Sequence, residues 1–204
     1  MEKKSAYEHC RLCPRRCGAD RRSAPGFCGE TSELRLASAS IHRGEEPPIT
    51  GSGGSGTVFI TGCNLGCVFC QNRQISRAEM GRAVSAGEFA AICLALEKKG
   101  AGNINLVTGS HAVPALAEGI RAAREQGLSV PVLWNSSAYE SPETLALLAG
   151  TVDVYLPDLK TLDREIARRF FRAPDYPEQA AAAILYMLES RGAPEYRPSA
   201  APAG

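Results

Sequence analysis

The second two-thirds of this chain alternate short apolar segments with helical patterns, and this alternation limits its fold more than any other feature. Four runs are typical of buried strands: residues 57–61, 103–108, 130–134 and 152–156. The predicted helices begin at Ser85, Pro114, Ser141, Thr161 or Asp163, and Asp175. Ser85 and Glu88 form a capping box before apolar residues at helical spacing. The pattern predicts four parallel βα units, and it fits either an open partial barrel or a doubly wound sheet.

Three cysteines directly follow the first predicted strand. Cys63, Cys67 and Cys70 form a C-x3-C-x2-C array. Three thiolates in so short a loop can bind three irons of a [4Fe–4S] cluster and leave the fourth iron without a protein ligand. The alternatives are a structural zinc ion, which needs a fourth ligand that is missing nearby in sequence, and a disulfide with one free thiol. Because chemistry in parallel α/β folds gathers at the carboxyl ends of strands, we predict a metal-binding loop at this position.

A second cysteine group lies near the N-terminus, with the spacing C-x2-C-x3-C-x10-C. It consists of Cys10, Cys13, Cys17 and Cys28. Four thiolates match the number in a closed site for structural Zn²⁺ or for an auxiliary Fe–S cluster. A segment of this size has no large core and needs such a cross-link to become ordered. We therefore predict a second metal site and leave its metal undecided. The eighth cysteine, Cys93, is expected to be a core thiol on an apolar helical face.

Composition narrows the classes of function. The chain has 204 residues, 44% of them hydrophobic and 22% charged, which is typical of one soluble domain. With a net charge of +1 and few aromatic residues beside the N-terminal arginines, we do not expect nucleic acid as a partner. No apolar run is long enough to span a membrane, so no membrane partner is expected. Eight cysteines without an export signal indicate metal binding in the reducing cytoplasm.

Four segments follow from these patterns. Residues 1–43 form the Cys-rich N-terminal segment, and residues 44–56 form a Gly/Pro-rich connector, either a linker or a loop over a barrel mouth. Residues 57–191 contain the βα units. Residues 192–204 are rich in Pro and Ala without apolar periodicity, and we predict a disordered tail.

The cysteine loop also carries a resemblance to a known family. The run from Cys63 through Phe69 to Cys70 resembles the C-x3-C-x-aromatic-C signature of the radical S-adenosylmethionine (SAM) superfamily. The surrounding GSGTVFITGCNLGCVFCQN, with residues 45–49 and 103–108, is similar to uncharacterised homologues of the pyruvate formate-lyase activating enzyme. The likeness extends from about Cys10 to Met187. It selects the partial (β/α) barrel, and because such enzymes generally have six βα units, it implies a C-terminally truncated, incomplete member.

The resemblance implies a [4Fe–4S] cluster and SAM as cofactors. It further implies reductive cleavage of SAM to a 5′-deoxyadenosyl radical that removes hydrogen from a substrate. A low-potential electron donor of flavodoxin or ferredoxin type would be the partner, and the unidentified substrate could be a protein. The residues that match cofactor-contacting positions of the family are Phe69, Thr108, Ser110, Asn135, Ser136, Asp158 and Lys160. The loop at Thr108 lacks the usual acidic residue of the family's glycine-rich motif.

Other interpretations compete with each of these assignments. Phe69 could simply pack under the loop, Asn135 and Ser136 could make loop hydrogen bonds, and Asp158 could pair with Lys160 at the surface. At the level of the whole chain, one alternative is a metal-stabilised binding module for RNA or a protein. Another alternative is a catalytically inactive fragment.

Overall fold

A computed structural model describes residues 6–77 and 80–192 of the chain. Its described part contains one mixed sheet of six strands in the order β3-β1-β2-β4-β5-β6. The strands are β1 (Leu34–His42), β2 (Ser55–Ile60), β3 (Arg82–Val84), β4 (Ile104–Val107), β5 (Val132–Ser136) and β6 (Val154–Pro157). The helices are α1 (Pro47–Thr50), α2 (Arg73–Ser76), α3 (Ala86–Lys98), α4 (Val113–Glu125), α5 (Pro142–Leu145), α6 (Arg164–Phe171) and α7 (Tyr176–Arg191).

Local sequence signals explain where the long helices begin. Ser85 accepts a hydrogen bond from the Glu88 N–H while the Glu88 side chain accepts from the Ser85 N–H, so the predicted capping box starts α3. Asp163 accepts from two backbone N–H groups at the start of α6. Pro occupies the first turn of α4, where no intrahelical donor is lost. The predicted helix near residues 141–150 is shorter than expected, because α5 continues as one 3₁₀ turn over Ala146–Leu148.

The order of the parallel strands indicates a partial barrel. β2, β4, β5 and β6 are parallel and adjacent in chain order, with Val58, Leu106, Trp134 and Tyr155 in register. Crossovers between parallel strands are right-handed in nearly all proteins, so strands added always in one direction place every helix on the same face. A doubly wound sheet instead reverses its strand order. The four predicted βα strands are confirmed, and the mixed α/β fold is consistent with a partial barrel.

Two apolar clusters hold this architecture together. The larger one joins the helix-facing side of the sheet, with Val58, Leu106 and Trp134, to Phe89 of α3 and Leu116 of α4. A smaller cluster lies after the carboxyl ends of the strands. Its members are Leu65, Ala138, Tyr139, Ala167, Phe171, Ala173, Tyr176 and Ala180. The smaller cluster therefore lies directly under the loop that carries the three cysteines.

Strands β1 and β3 were not anticipated from the sequence. β1 pairs antiparallel with both β2 and β3, with an irregular register between Leu36 and Ser38. Only its first residues are buried alternately, and residues 38–40 have exposed or half-exposed side chains. The apolar alternation changes phase between Leu36 and Ala37, so the period of two that marks a half-buried strand does not run through the whole of β1. The Cys-rich N-terminal segment thus contributes a strand to the central sheet.

The Gly/Pro-rich connector packs at the amino ends of the strands. Asn103, just before β4, donates from Nδ2 to the Ile49 carbonyl at 2.6 Å and accepts from the Ser55 hydroxyl at 2.7 Å. Although its composition predicts irregular backbone, residues 47–50 form α1 and residues 55–56 begin β2. The connector therefore lies at the end of the sheet opposite to the cysteine loop.

Two further expectations concern the C-terminal tail and membrane-spanning helices. Residues 193–204 of the predicted tail lie outside the described residues. Within the described ranges, no helix is long and apolar enough to cross a membrane.

Candidate metal centre

The three cysteines lie on one loop between β2 and α2, at the carboxyl edge of the parallel strands. The chain turns out of β2 at Gly62, whose φ of 84° is accessible to glycine at little cost. The Gly62 N–H donates to the Ile75 carbonyl at 3.0 Å, and the Cys63 N–H donates to the Cys28 carbonyl at 3.1 Å. Cys63, Cys67 and Cys70 are all partly exposed. The loop is thus fixed by its backbone while its thiols face an accessible region.

The thiols influence one another electrostatically. Burial raises the pKa of Cys67 to about 11; the Cys63 and Cys70 sulfurs raise it as well, whereas the Lys160 ammonium lowers it. Cys70 Sγ lies 3.4 Å from the Ser76 hydroxyl, and Cys63 Sγ accepts from the Leu65 N–H at 3.3 Å. Thiolates at these positions would repel one another, and bound metal cations would offset that repulsion.

The donor set fits a cluster better than a single ion. Among residues 6–77 and 80–192, no three Cys, His, Asp or Glu side chains form a group that could hold one metal ion. The cysteines of an Fe–S cluster bind separate irons, so they need not converge on one point. The loop supplies three thiols and no fourth ligand, which agrees with a [4Fe–4S] cluster that keeps one iron open.

The loop is anchored from below by the smaller apolar cluster. Leu65 is fully buried there, and the Val68 N–H donates to the Phe170 carbonyl at 3.0 Å. Asn64 is buried and donates from Nδ2 to the Tyr139 carbonyl at 2.7 Å. Phe69 is 58% exposed, yet its ring contacts the rings of Phe170 and Phe171 at this cluster, at centroid distances of 6.3 and 5.8 Å. Packing and exposure therefore coexist at Phe69.

One arginine of the Cys-rich segment fastens this loop to α6. Arg15 donates from Nε to the Asn64 carbonyl at 2.9 Å and from Nη2 to the Leu65 carbonyl at 2.7 Å. The same guanidinium donates to the carbonyls of Phe171, at 2.8 Å, and Arg172. Its Cζ atom lies 4.1 Å from the Phe27 ring centroid. Sequence analysis did not identify Arg15, because its partners are 49 to 157 residues away.

The loops after β4 and β5 meet at a buried carboxylate. Glu140 accepts hydrogen bonds from the hydroxyls of Ser110 and Ser136, at 2.7 and 2.9 Å, and from Trp134 Nε1 at 2.7 Å. Burial raises the pKa of Glu140, and these three donors lower it. Ser110 and Ser136, which were both expected to contact the cofactor, are buried, and their hydroxyls donate to Glu140 instead. Glu140 was also missed by sequence analysis.

Thr108 and Asn135 lie at the same edge with freer side chains. Thr108 has a φ of 63°, which is uncommon for a residue other than glycine, and its N–H donates to the Asn135 carbonyl at 2.9 Å. Because side chains alternate along a strand and both neighbours of Asn135 face the helices, Asn135 faces the opposite, barrel-interior side of the sheet. Both side chains are half-buried.

Asp158 and Lys160 follow β6 and form an ion pair. Lys160 Nζ lies 2.5 Å from Asp158 Oδ2, and Lys160 is the less exposed of the two. The Tyr176 hydroxyl accepts from the Lys160 N–H at 2.9 Å and donates to the Ser137 carbonyl at 2.9 Å, with the Asp158 carbonyl oxygen 3.2 Å away. The Lys160 ammonium also lowers the pKa of Cys67, so this strand-end lysine acts electrostatically on the cysteine loop.

Three of the N-terminal cysteines, Cys10, Cys17 and Cys28, interact with one buried arginine, Arg21. Cys10, Cys13 and Cys28 are buried and Cys17 is exposed. Arg21 Nη1 lies 3.8 Å from Cys10 Sγ and donates to the His111 carbonyl at 2.7 Å. Burial raises the pKa of Cys28, which the Arg21 cation lowers and the Cys10 and Cys17 sulfurs raise. These cysteines are therefore close neighbours, although no described group meets the geometry for a single metal ion.

His111 contacts residues next to both cysteine groups: its carbonyl accepts from Arg21, and its ring lies against the Thr61 carbonyl at the end of β2. The ring is buried, with Nε2 2.7 Å from the Thr61 carbonyl, while Nδ1 has no partner among the described residues. Burial and the cations Arg21 and Arg77 lower the pKa of His111 to about 3, which the Thr61 carbonyl opposes. The imidazole is therefore neutral and donates from Nε2.

Comparison with known proteins agrees with this arrangement. A family model of the Radical SAM superfamily matches residues 57–194. An uncharacterized protein of Methanocaldococcus jannaschii is 32% identical over 180 residues, which cover 85% of this chain and 52% of that protein. The chain thus spans about half the length of this curated relative.

Proposed function

Because this chain belongs to the radical SAM superfamily, we propose that Cys63, Cys67 and Cys70 hold a [4Fe–4S] cluster and that the protein binds and reductively cleaves SAM. The observation that carries the proposal is the single loop with three accessible thiols and no fourth ligand at the carboxyl edge of the sheet. When bound, the cluster would supply the electron that cleaves the SAM sulfonium and yields a hydrogen-abstracting 5′-deoxyadenosyl radical.

The chain's own residues would then bind and orient SAM. Phe69 offers an exposed ring beside the cysteine loop, and Asn135 offers an amide on the interior side of the sheet. The Thr108 hydroxyl and the Asp158–Lys160 pair contribute polar groups at the same edge. Ser110 and Ser136 would act through Glu140, which fixes both loops. A partly enclosed site of this kind would also limit the access of water to the radical.

The finer assignment is an activating-enzyme-like role in the cytoplasm. It is supported by the likeness of the cysteine loop and of residues 45–49 and 103–108 to that branch. In this role the protein would receive electrons from a flavodoxin or ferredoxin and act on a substrate that could be a protein. Because the chain spans about half of its curated relative, these activities and partners belong to the proposal.

We further propose that Cys10, Cys13, Cys17 and Cys28 bind Zn²⁺ or an auxiliary Fe–S cluster. Three of these thiols are buried without a disulfide partner, and the pKa of Cys13 is raised to about 11 by burial, with Cys28 and Cys10 adding to the shift. The Arg21 cation lies among them and would balance the negative charge of a four-thiolate site.

Anaerobic reconstitution with iron and sulfide tests both sites in one preparation. The wild-type chain should show an EPR signal that changes with SAM and should form 5′-deoxyadenosine and methionine. A variant with Cys63, Cys67 and Cys70 replaced by Ala should lose all three results and keep the metal of the N-terminal site. Cys93→Ala, which removes a core thiol, is the matched control.

Two outcomes would contradict these proposals. An unchanged SAM-dependent EPR signal in the triple variant would reject the assignment of the cluster to this loop. Zinc alone, at about one ion per chain, would support the binding-module alternative, since one closed four-thiolate site holds one zinc ion. Wild-type protein whose metal content falls entirely with the triple variant would reject the second site.

A further inference from the structure

A cleft lined by three arginines opens beside the cysteine loop. We call it the arginine cleft: Arg73 on α2, Arg77 just after it, and Arg172 after α6. Its volume is about 280 Å³, and the backbone of Gly66–Val68 with Cys67 forms one wall. The cleft therefore reaches the outer side of the loop that would hold the cluster.

The cleft gathers three positive charges at one place. Within residues 6–77 and 80–192, none of the three arginines forms an ion pair with Asp or Glu, whereas Arg22, Arg124, Arg164 and Arg168 do. Arg77 donates to the Phe27 carbonyl at 3.1 Å, and its guanidinium lies 5.3 Å from the Phe27 ring centroid. Since the net charge of the chain is only +1, this is a local positive field rather than a property of the whole molecule.

Exposed apolar side chains border the same cleft. Val68 is 53% exposed and Phe27 is 39% exposed, and both line it. Gly66, with a φ of 83°, has no side chain to cover the Arg77 guanidinium, which lies directly over it. Arginines around an exposed aromatic ring are typical of protein interfaces, where both residue types are enriched.

We propose that the arginine cleft is the docking surface for a small acidic electron-transfer protein that reduces the cluster. The inference rests on the proposed function, because an electron must enter a cluster held by Cys67 and this cleft is where the Cys67 loop meets the surface. One electron passes from the reduced carrier to the oxidised cluster, and no covalent bond forms or breaks. Clustered arginines steer an acidic partner and raise its association rate, which suits the small, transient interfaces of redox partners.

The test reverses charge without disturbing the loop. Arg73→Glu and Arg172→Asp are combined; Asp is chosen because Arg172 has a φ of 55°, which Asp tolerates. Arg77 is kept, because its guanidinium contacts Phe27 and Gly66. The matched control combines Arg43→Glu and Arg121→Glu, two exposed arginines with the same change of net charge. Arg43 precedes the connector, and Arg121 lies in the half of α4 that runs toward the amino ends of the strands.

Two measurements use the metal-loaded full chain and a purified flavodoxin. Calorimetric titration should show flavodoxin binding weakened about tenfold or more in the cleft variant, unchanged in the control, and weakened by 0.5 M salt. SAM cleavage driven by flavodoxin hydroquinone should fall in parallel, while cleavage driven by photoreduced deazaflavin, a small molecule that needs no docking surface, should stay at the wild-type rate.

The outcomes separate the two proposals. Equal flavodoxin affinity in the wild type and the cleft variant would overturn the docking surface, as would equal loss in cleft variant and control. Failure of wild-type SAM cleavage with both reductants would overturn the proposed function, and the calorimetric comparison would still decide whether the cleft binds the carrier. Calorimetric binding of millimolar inorganic phosphate to the wild type and not to the cleft variant, without any flavodoxin binding, would identify the cleft as a small-anion site and reject the proposal.

Discussion

One side chain of the Cys-rich segment, Arg15, holds the cysteine loop in place by hydrogen bonds. The Arg15 guanidinium donates to the carbonyls of Asn64 and Leu65 in the loop. It also donates to the carbonyls of Phe171 and Arg172 at the end of α6. A planar guanidinium can serve several acceptors at fixed angles, whereas an ammonium acts as a point charge. Arg15 therefore joins the cysteine loop to the end of α6.

We expect Arg15→Lys to loosen the loop without unfolding the protein. Losing two charge-assisted hydrogen bonds should cost roughly 3–6 kcal/mol of local stability, since each contributes about 1.5–3 kcal/mol. Hydrogen exchange of the Val68 amide, which donates to the Phe170 carbonyl, should accelerate by at least about tenfold. Arg16→Lys, at the next position, is the control and should leave exchange unchanged. Equal protection of the Val68 amide in Arg15→Lys and the wild type would show that the Arg15 hydrogen bonds do not stabilise the loop.

For single residues, the sequence predicted sites whose members lie close together in the chain and did not predict contacts between residues that are far apart in it. Cys63, Cys67 and Cys70 were found because one short spacing contains all three. Glu140 carries no such pattern, since one of its partners, Ser110, is 30 residues away and its own neighbours are ordinary loop residues. The hydroxyl of Ser136 was assigned to the cofactor by resemblance alone, and its observed acceptor could be found only in the folded chain.

At the scale of elements, the end of β2 must fit closely against the Cys-rich segment. A Cβ added to Gly62 would lie 2.8 Å from the Cys28 carbonyl oxygen and would also meet the Glu30 side chain. The φ of 84° adds strain for any residue with a side chain. The two cysteine groups are thus joined by a backbone contact that only glycine permits.

We expect Gly62→Ala to destabilise the protein by roughly 2–4 kcal/mol, from overpacking plus backbone strain. It should also separate the Cys-rich segment from the loop, so that limited proteolysis cuts between residues 10 and 30 first. The control is Gly87→Ala in α3, where no atom lies within 4 Å of the added methyl and alanine favours the helix. Urea unfolding measures both changes. A smaller cost for Gly62→Ala than for Gly87→Ala would contradict the close fit.

The elements that the sequence predicted share strong periodicity or clear caps. β2, β4, β5 and β6 are apolar runs bounded by glycine or polar residues, and α3 has its capping box. β1 was missed because it lies between antiparallel partners with much of one half exposed, so tertiary pairing rather than local pattern creates it. For the same reason the side chain of Asp175, where the last helix was predicted to begin, caps no N–H group of α7 and instead accepts from the Tyr139 hydroxyl at 2.8 Å.

For the whole molecule, the buried centre between the two cysteine groups sets the response to pH. His111 has a pKa of about 3 in the folded chain because of burial and the cations Arg21 and Arg77, compared with about 6.5 when unfolded. Below pH 6.5 the unfolded chain therefore binds the extra proton and the folded chain does not. The stability contributed by neutral His111 is complete above pH 6.5 and is lost as pH falls toward 3.

We expect the free energy of unfolding to fall by up to about 1.4 kcal/mol per pH unit below pH 6.5 through this group alone. Glu140, whose pKa burial raises, acts in the opposite direction, since protonation at low pH favours its buried state. His111→Gln keeps a donor for the Thr61 carbonyl and removes the titration, while Glu140 is common to both proteins and cancels in their difference. Urea unfolding at pH 7.5, 6 and 5, at one fixed metal loading, should show the wild type losing stability faster than His111→Gln. Parallel pH dependences would mean that His111 accepts its proton in the folded state, and the buried, neutral imidazole between the cysteine groups would then be wrong.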